Sequence, residues 1–577
     1  MADPNANFPT APTTLRRRLV HRVPRTVRQH WKIAATLLVF VVVMATVFGS
    51  TRIRPYITGD ATVIASEIAE NVQGTVDLFD TTVSHSISVD IDAGDYQTLK
   101  DSFQNEGVKE SVPADITIDG TLISDVGIRL KGNSTLSTLS NDDGTMPGRG
   151  GGNAGADAAA APADGAAMPE GGGMPEGGGM PDGVTMPDGV TMPEGATMPE
   201  GAAPADGTAP TDGAAMPEGG GMPGGAGMAM FGEPLSFDEP EDLPFLIDFA
   251  EYSEGRAYQG HTTLSLRPYT PALNESVSLA ITEASGQATQ DFTYTTYSVN
   301  DSTETTRLVV VAPDDDYANS LHDGDGVLYK TGANASFTYQ GDDQTTYAEQ
   351  FTQINARGTA DLQPIITLLK WLDGADQAEF DAHLADYVDV DSLANYLALQ
   401  NLLSNGDDMG GPGKNFYLYY DLDTKKFSVV SWDLNLALNS DSTAGAHDEV
   451  SMIPGGGGAG GGGMPQMPEG FTPPEGMEIP EGGGMPEGGP MLGNSLKDMF
   501  LDSTEFTDEY DAAYRTIYDE LWASGRVLDI VDEVAASVPT SAGLTQEEID
   551  ADAAELKSRL QIRIDALADD PVVTGSS

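Results

Sequence analysis

Two long tracts of the chain cannot contribute to a packed core, so the fold has to be assembled from what lies around them. From about residue 141 to 232, "MPEGGG", "MPDGVT" and "MPEGAT" recur with a six-residue period that puts Met168, Met174, Met180, Met186, Met192 and Met198 in register. A second tract of the same type occupies residues 454–493. Six-residue periods build β-helices only where an apolar residue points inward at each turn. Here Pro follows each Met and Gly fills much of the rest, which predicts flexible acidic linkers. Thioether-rich tracts outside a cell can also bind Cu(I), the alternative reading of the methionines. The foldable material is thereby divided into residues 83–140, 233–453 and 494–570, with a short tail from 571.

The N-terminus carries a different signal. A basic leader, residues 1–32, holds a cluster from Arg16 to Lys32 with no acid in it, and an uncharged run from Ile33 to Gly49 follows. That run is about the shortest that spans a bilayer as a helix. Positive charge before it favours a cytoplasmic N-terminus and an extracytoplasmic remainder. The expectation is a signal anchor at 33–49 and a juxtamembrane stalk at 50–82; a cleaved signal peptide is the alternative. Either way, the folded part lies outside the cytoplasm.

Between and beyond the tracts the pattern is globular. Ile87, Val89 and Ile91 alternate as in a strand, and "DITIDGTLISDVGIRL" gives two alternating runs joined at Asp119-Gly120, a hairpin signal. "LPFLIDFAEY", "TTLSLRPY", "FTYTTYSVN", "TTRLVVVAP" and "GDGVLYK" read as strands, with "NESVSLAITEASGQ" a helix among them. In "DSLANYLALQNLLS", Leu393, Tyr396, Leu397 and Gln400 fall on one helical face, with Asp391 or Ser392 as the cap. Helical runs such as "TQEEIDADAAELKSRLQIRIDAL" close the chain. Strands first and helices later predict an α+β fold with two lobes.

Composition then narrows the chemistry. Lys+Arg 29 against Asp+Glu 89 gives a net charge of −60, which excludes a nucleic-acid partner because a phosphate backbone needs a basic footprint. With no cysteine there are no disulfides, zinc thiolates or thiol nucleophiles. The seven His are scattered, and no GxxxxGK[ST], HExxH, GxSxG, HRD or DFG motif occurs. What remains is "NGDDMGGPGKNFYLYYDLDTKKFSVVSWDLN", residues 405–435. Asp407 opens a glycine-rich loop ending at Asn415, and a hairpin would return Asp433 to that loop. Phosphoryl transfer needs a carboxylate beside the accepting hydroxyl and others holding Mg²⁺. On spacing alone, solvated turn acids are the leading reading and a metal-binding cage the second.

"GIRLKGNSTL", "LPFLIDFAEY", "GDGVLYK", "NGDDMGGPGKNFYLYYD" and "WDLNLAL" together, in that order, resemble the spore-coat CotH kinase family. The resemblance runs from about Ile87 to Asn439 and implies an atypical two-lobed protein-kinase-like fold that uses ATP and Mg²⁺ to phosphorylate Ser or Thr of surface or secreted proteins. It implies Asp407, rather than Asp408, as the acid beside the substrate hydroxyl, and Asp433 as the principal metal ligand with Asn415 and Asn435. Arg129 and Lys131 would face the phosphates, Glu283 would pair with such a cation, Trp432 would pack beside the metal loop, and "LVVVAP" would be the hinge. Three positions depart from the family pattern: Asp242 where a basic residue is usual, Ala312 where an acid is usual, and Lys414 where a second Asn is common. Those at Asp242 and Ala312 touch the nucleotide side and leave a weakened kinase or a catalytically inactive kinase-like scaffold as the alternative; a Ca²⁺-stabilised adhesion module is a third reading.

Overall fold

The computed structural model describes residues 68–132, 135–139, 235–268, 271–324, 326–333, 335–355, 361–450 and 494–575. The expected cytoplasmic leader, the anchor at 33–49 and both low-complexity tracts lie outside the described residues. Among the described residues no helix is long and apolar enough to cross a membrane.

The fold is mixed α+β. Strands β1 (Glu70–Val72), β2 (His85–Ile91), β3 (Val112–Ile118), β4 (Thr121–Leu130), β5 (Phe245–Asp248), β6 (Arg256–Tyr258), β7 (Thr263–Leu266), β8 (Phe292–Val299) and β9 (Thr305–Val311) come first, with helix α1 (Ala93–Glu106) after β2 and α2 (Leu273–Ala284) after β7. Seven of these strands close a barrel in the order β2-β3-β4-β5-β7-β9-β8. Alternation explains its interior, because Ile87, Val89 and Ile91 face inward with Ile128, Leu130, Ile247 and Val309 in one apolar cluster. Asp119 and Gly120 both adopt left-handed backbone, as the two-residue turn between β3 and β4 requires.

The expected stalk at 50–82 is corrected in its last part. Strand β1 pairs in parallel with β6, and Leu78 is fully buried. The Gln259 side chain fastens this stretch, accepting from Leu78 N at 2.8 Å and donating to Gln73 O at 2.9 Å.

A second body follows. Helix α3 (Asp315–Ser320) leads to a four-stranded sheet in the order β11 (Phe351–Gln353), β10 (Gly326–Thr331), β12 (Phe416–Asp421), β13 (Phe427–Ser431). Helices α4 (Gln363–Gly374), α5 (Gln377–Tyr387) and α6 (Val390–Leu402) precede the β12–β13 hairpin, and α7 (Ser495–Asp502), α8 (Thr507–Ile517), α9 (Arg526–Ser537), α10 (Gln546–Leu567) and the short α11 (Pro571–Thr574) come after it. One core holds Leu397 of α6, Leu418 of β12, Phe500 of α7 and Leu560 of α10, so the late helices complete the body that the hairpin belongs to. Leu393, Tyr396, Leu397 and Gln400 are all buried, on the face the sequence predicts. The cap differs: Asp389, not Asp391 or Ser392, accepts from Ser392 N at 3.0 Å, because the helix begins a turn earlier than its apolar face.

Candidate active site

Asp407 lies on the short turn between α6 and β12, and the glycine-rich segment folds back over it. Its Oδ1 accepts from Gly413 N at 2.6 Å and its Oδ2 from Asn415 Nδ2 at 3.0 Å. A Cβ at Gly411 would sit 2.5 Å from Asp407 Cα, so only glycine lets the backbone approach this closely. A buried polar chain ties this turn to the far strand. Asp407 N donates to Asn405 Oδ1 at 3.1 Å, Asn405 Nδ2 to Gln400 Oε1 at 2.7 Å, and Gln400 Nε2 to Ser431 Oγ at 3.0 Å. Ser431 ends β13, and Trp432 and Asp433 follow it. The hairpin thus returns Asp433 to the Asp407 loop, as the sequence predicts.

Burial pushes the Asp407 carboxyl up to about 6; the Gly413 N–H opposes this, and the negative charges of Asp433 and Asp408 add to it. Asp408 stands apart from that role. Its Oδ2 is paired with Lys497 Nζ at 2.6 Å, and its Oδ1 accepts from Gly410 N at 2.8 Å. Left-handed backbone at Ser404, Lys414, Asp433 and Leu438 marks the stretch. Non-glycine residues in that region cost on the order of 1–3 kcal/mol each and collect at functional sites.

On the barrel side the structure changes several sequence expectations. Glu283 is exposed near the end of α2 and forms no ion pair among the described residues. The glutamate that meets a cation is Glu275, in the first turn of α2 and 2% exposed, paired with Arg267 just beyond β7. Burial pushes its carboxyl up while Arg267 pulls it down. Arg267 also approaches Asp433 Oδ1 at 3.3 Å. Arg129 and Lys131 part company because β4 ends at Leu130: Arg129 lies beside Asp248 and Glu251, whereas Lys131 Nζ stands 4.9 Å from the Trp432 ring. Arg267 and Lys330 lie over the same indole, at 5.6 and 5.7 Å, and Tyr417 meets it edge-on. Trp432 is therefore a buried platform for three cations from both bodies. Sequence reasoning missed Arg267, Glu275 and Lys330. The available signal was an arginine at a strand end, followed within a few residues by an acid opening a helix.

Asn435 is exposed, and what it contributes locally is its carbonyl, which accepts from Asn274 Nδ2 of α2. Asp242 is bound to Arg307 of β9. Ala312 is followed two residues on by Asp314, which caps α3 through Tyr317 N at 3.0 Å and accepts from the Thr263 hydroxyl at 3.2 Å.

These residues fit a magnesium–nucleotide complex in one specific way. Asp433 Oδ1 accepts no hydrogen bond, its neighbour being the Arg267 guanidinium at 3.3 Å, and Asn415, whose nitrogen faces Asp407, keeps its oxygen for another partner. No group of three or more His, Cys, Asp or Glu among the described residues is arranged to hold a metal ion. Mg²⁺ commonly takes one or two protein carboxylates and completes its shell with water and phosphate oxygens. Such a set is what Asp433 and Asn415 offer.

The Arg267–Glu275 pair carries the first expected result. Glu275→Gln should lower the unfolding free energy by about 1–3 kcal/mol, since a buried guanidinium loses its nearest charge. Glu283→Gln should stay within about 0.5 kcal/mol. Urea midpoints of the two variants decide between them.

The family model described as CotH kinase protein matches residues 242–553. No curated protein matches the chain. Among solved structures, the Shewanella oneidensis MR-1 toxin–antitoxin complex of HipA, HipB and its operator DNA is similar at 10% identity and a TM-score of 0.25, over 54% of this chain and 60% of that chain.

Proposed function

The chain belongs to the CotH kinase family, and from that premise we propose that it is an extracytoplasmic, membrane-anchored protein kinase using ATP and Mg²⁺ to phosphorylate Ser or Thr of surface or secreted proteins. One observation carries the reading. A buried carboxylate with a raised pKa, Asp407, is held by two donors across from a second carboxylate, Asp433, whose Oδ1 accepts no hydrogen bond and has the Arg267 guanidinium 3.3 Å away. Each Asp407 oxygen uses one lone pair on its donor and keeps another for a substrate hydroxyl. Asp407 would accept the hydroxyl proton there, with Asn415 and Gly413 fixing its orientation. Asp433 and Asn415 would hold the magnesium ion, whose charge offsets that of the phosphates. Arg267, Lys131 and Lys330, gathered at Trp432, would bind and orient the phosphate chain from the opposite side. The basic leader and apolar run at 33–49 support the placement of the folded part outside the cytoplasm.

A kinase-shaped scaffold without turnover has one observation in its favour. Arg267 already stands 3.3 Å from the carboxylate that would take the metal. The test is incubation of the full chain with labelled ATP, with Mg²⁺ and with a chelator. Label on Ser or Thr, in the chain itself or an added surface protein, is expected only with Mg²⁺. Calorimetric nucleotide binding without transfer would replace the kinase by the scaffold, and absence of both would end the nucleotide reading.

A further inference from the structure

The Asp407 turn is gripped by a charge from a part of the sequence far from it. Lys497, on the first turn of α7, pairs with Asp408 at 2.6 Å, and the pair is nearly closed to solvent, with side-chain exposures of 18% and 5%. Helix α7 follows the second low-complexity tract, so nothing in the sequence near Asp407 announces this contact. The helix is a firm mount. Asn494 caps it through Leu496 N at 3.0 Å, Ser495 Oγ donates to Phe337 O at 3.3 Å, and Leu496 and Phe500 are buried in the core.

Asp408 in turn organises the turn over Asp407. Its carboxylate accepts from Gly410 N, and its carbonyl accepts from Gly411 N at 3.1 Å and Asn415 N at 3.3 Å. Gly411 is the residue pressed on Asp407, and Asn415 is one of its two donors. Lys414 and Asp498 lie in the same charged neighbourhood, and Asp407, Asp502 and Glu449 add to its negative side.

We propose that Lys497 is a positioning residue: through Asp408 it holds the 410–415 loop in the shape that aims Gly413 N and Asn415 Nδ2 at Asp407. This rests on the reading of Asp407 as the hydroxyl-facing acid, but the geometric claim stands or falls without it. Loss of the cation leaves Asp408 buried and unpaired, and the loop loosens as that carboxylate seeks water or a proton. A displaced catalytic group of this kind costs roughly ten- to a hundredfold in turnover.

The experiment uses the full chain and three variants, Lys497→Met, Lys497→Arg and the double variant Asp408→Asn/Lys497→Met. Amide hydrogen exchange of the peptide covering 407–416 is read by mass spectrometry beside kcat and the KM for ATP. Lys497→Met is expected to speed exchange in that peptide and lower kcat roughly ten- to a hundredfold with KM within about twofold. Lys497→Arg should restore most of both, and the double variant should recover exchange protection, since a neutral Asn still accepts from Gly410 N. Unchanged exchange in Lys497→Met overturns the proposal. So does faster exchange spread evenly over α7, α8 and the sheet, which marks a general structural role. If the wild-type chain transfers no phosphate, the kinase reading fails while exchange in the 407–416 peptide still decides this one.

Discussion

Asp407→Asn is expected to lower phosphate transfer by about 10²- to 10⁴-fold, the usual worth of a positioned proton acceptor, while the fold survives. The substitution keeps an oxygen for Gly413 N but sets an amide NH2 where Oδ2 accepted from Asn415 Nδ2, so it removes that hydrogen bond together with the ability to take a proton. A second, activity-independent result is expected from the same variant. The Asp407 pKa is raised from 3.8 to about 6, chiefly by burial. The folded protein therefore holds this proton more tightly than the unfolded chain, so stability falls as pH rises from about 4 to about 6, and the penalty is complete above that. A shift of this size corresponds to roughly 2–3 kcal/mol. Asp407→Asn should consequently be more stable than the wild type at pH 8, with the gain shrinking below pH 6 and gone below about pH 4. Activity should rise with pH through about 6, as the carboxylate form becomes available. Denaturant midpoints across this range, beside initial rates, test both statements. Undiminished transfer would remove Asp407 from the chemistry, and a pH-independent stability difference would remove the buried-carboxylate account.

How much of this was legible in the sequence depended on the range of the interaction. Strands with one buried face announce themselves by alternation, which is why β2 and the β3–β4 hairpin could be read directly. The convergence of Asp407, Asn415 and Asp433 was legible for a related reason, since a single hairpin brings them together and its turn lies between them. Barrel closure was not legible. It depends on β2 lying parallel to β8, far along the chain and beyond the first low-complexity tract, and no local signal specifies that pairing. The helix glutamate was misplaced for a different reason. Glu275 sits where acids commonly open a helix to meet its dipole, so its pattern reads as capping chemistry, while Glu283 is an equally plain acid on the exposed side. Only packing of the first turn of α2 against the end of β7 separates them. Lys497 shows the limit most clearly, because its partner Asp408 is reached through tertiary structure alone.

Arg563→Met is expected to cost about 3–5 kcal/mol of folding stability, as much as a single substitution in this chain should. Arg563, on α10, is 1% exposed and forms no ion pair with a carboxylate among the described residues. Its charge is satisfied instead by oxygen acceptors: Nη1 donates to Ala444 O, and Nη2 donates to Asn401 O at 2.9 Å, Asn401 Oδ1 at 2.6 Å and Tyr514 OH at 3.2 Å. Methionine fills much of the volume but donates nothing, so Ala444 O loses its guanidinium donor while Asn401 O is left with Ser404 N and Asn401 Oδ1 with the Tyr514 hydroxyl. The position of the acceptors gives the residue its reach. Asn401 ends α6 just before the Asp407 turn, and Ala444 lies just beyond the loop that begins at Asp433, so one guanidinium fastens both flanks of the site to the last long helix. Arg559, one turn earlier on α10, is the control. It reaches Leu438 O at 3.3 Å and Glu555 at 2.6 Å, but its side chain is 39% exposed, and Arg559→Met should cost about 0–1 kcal/mol. Guanidinium midpoints of the two variants give the comparison. A shift for Arg563→Met no larger than that for Arg559→Met would show that α10 merely covers the core and does not fasten the site loops.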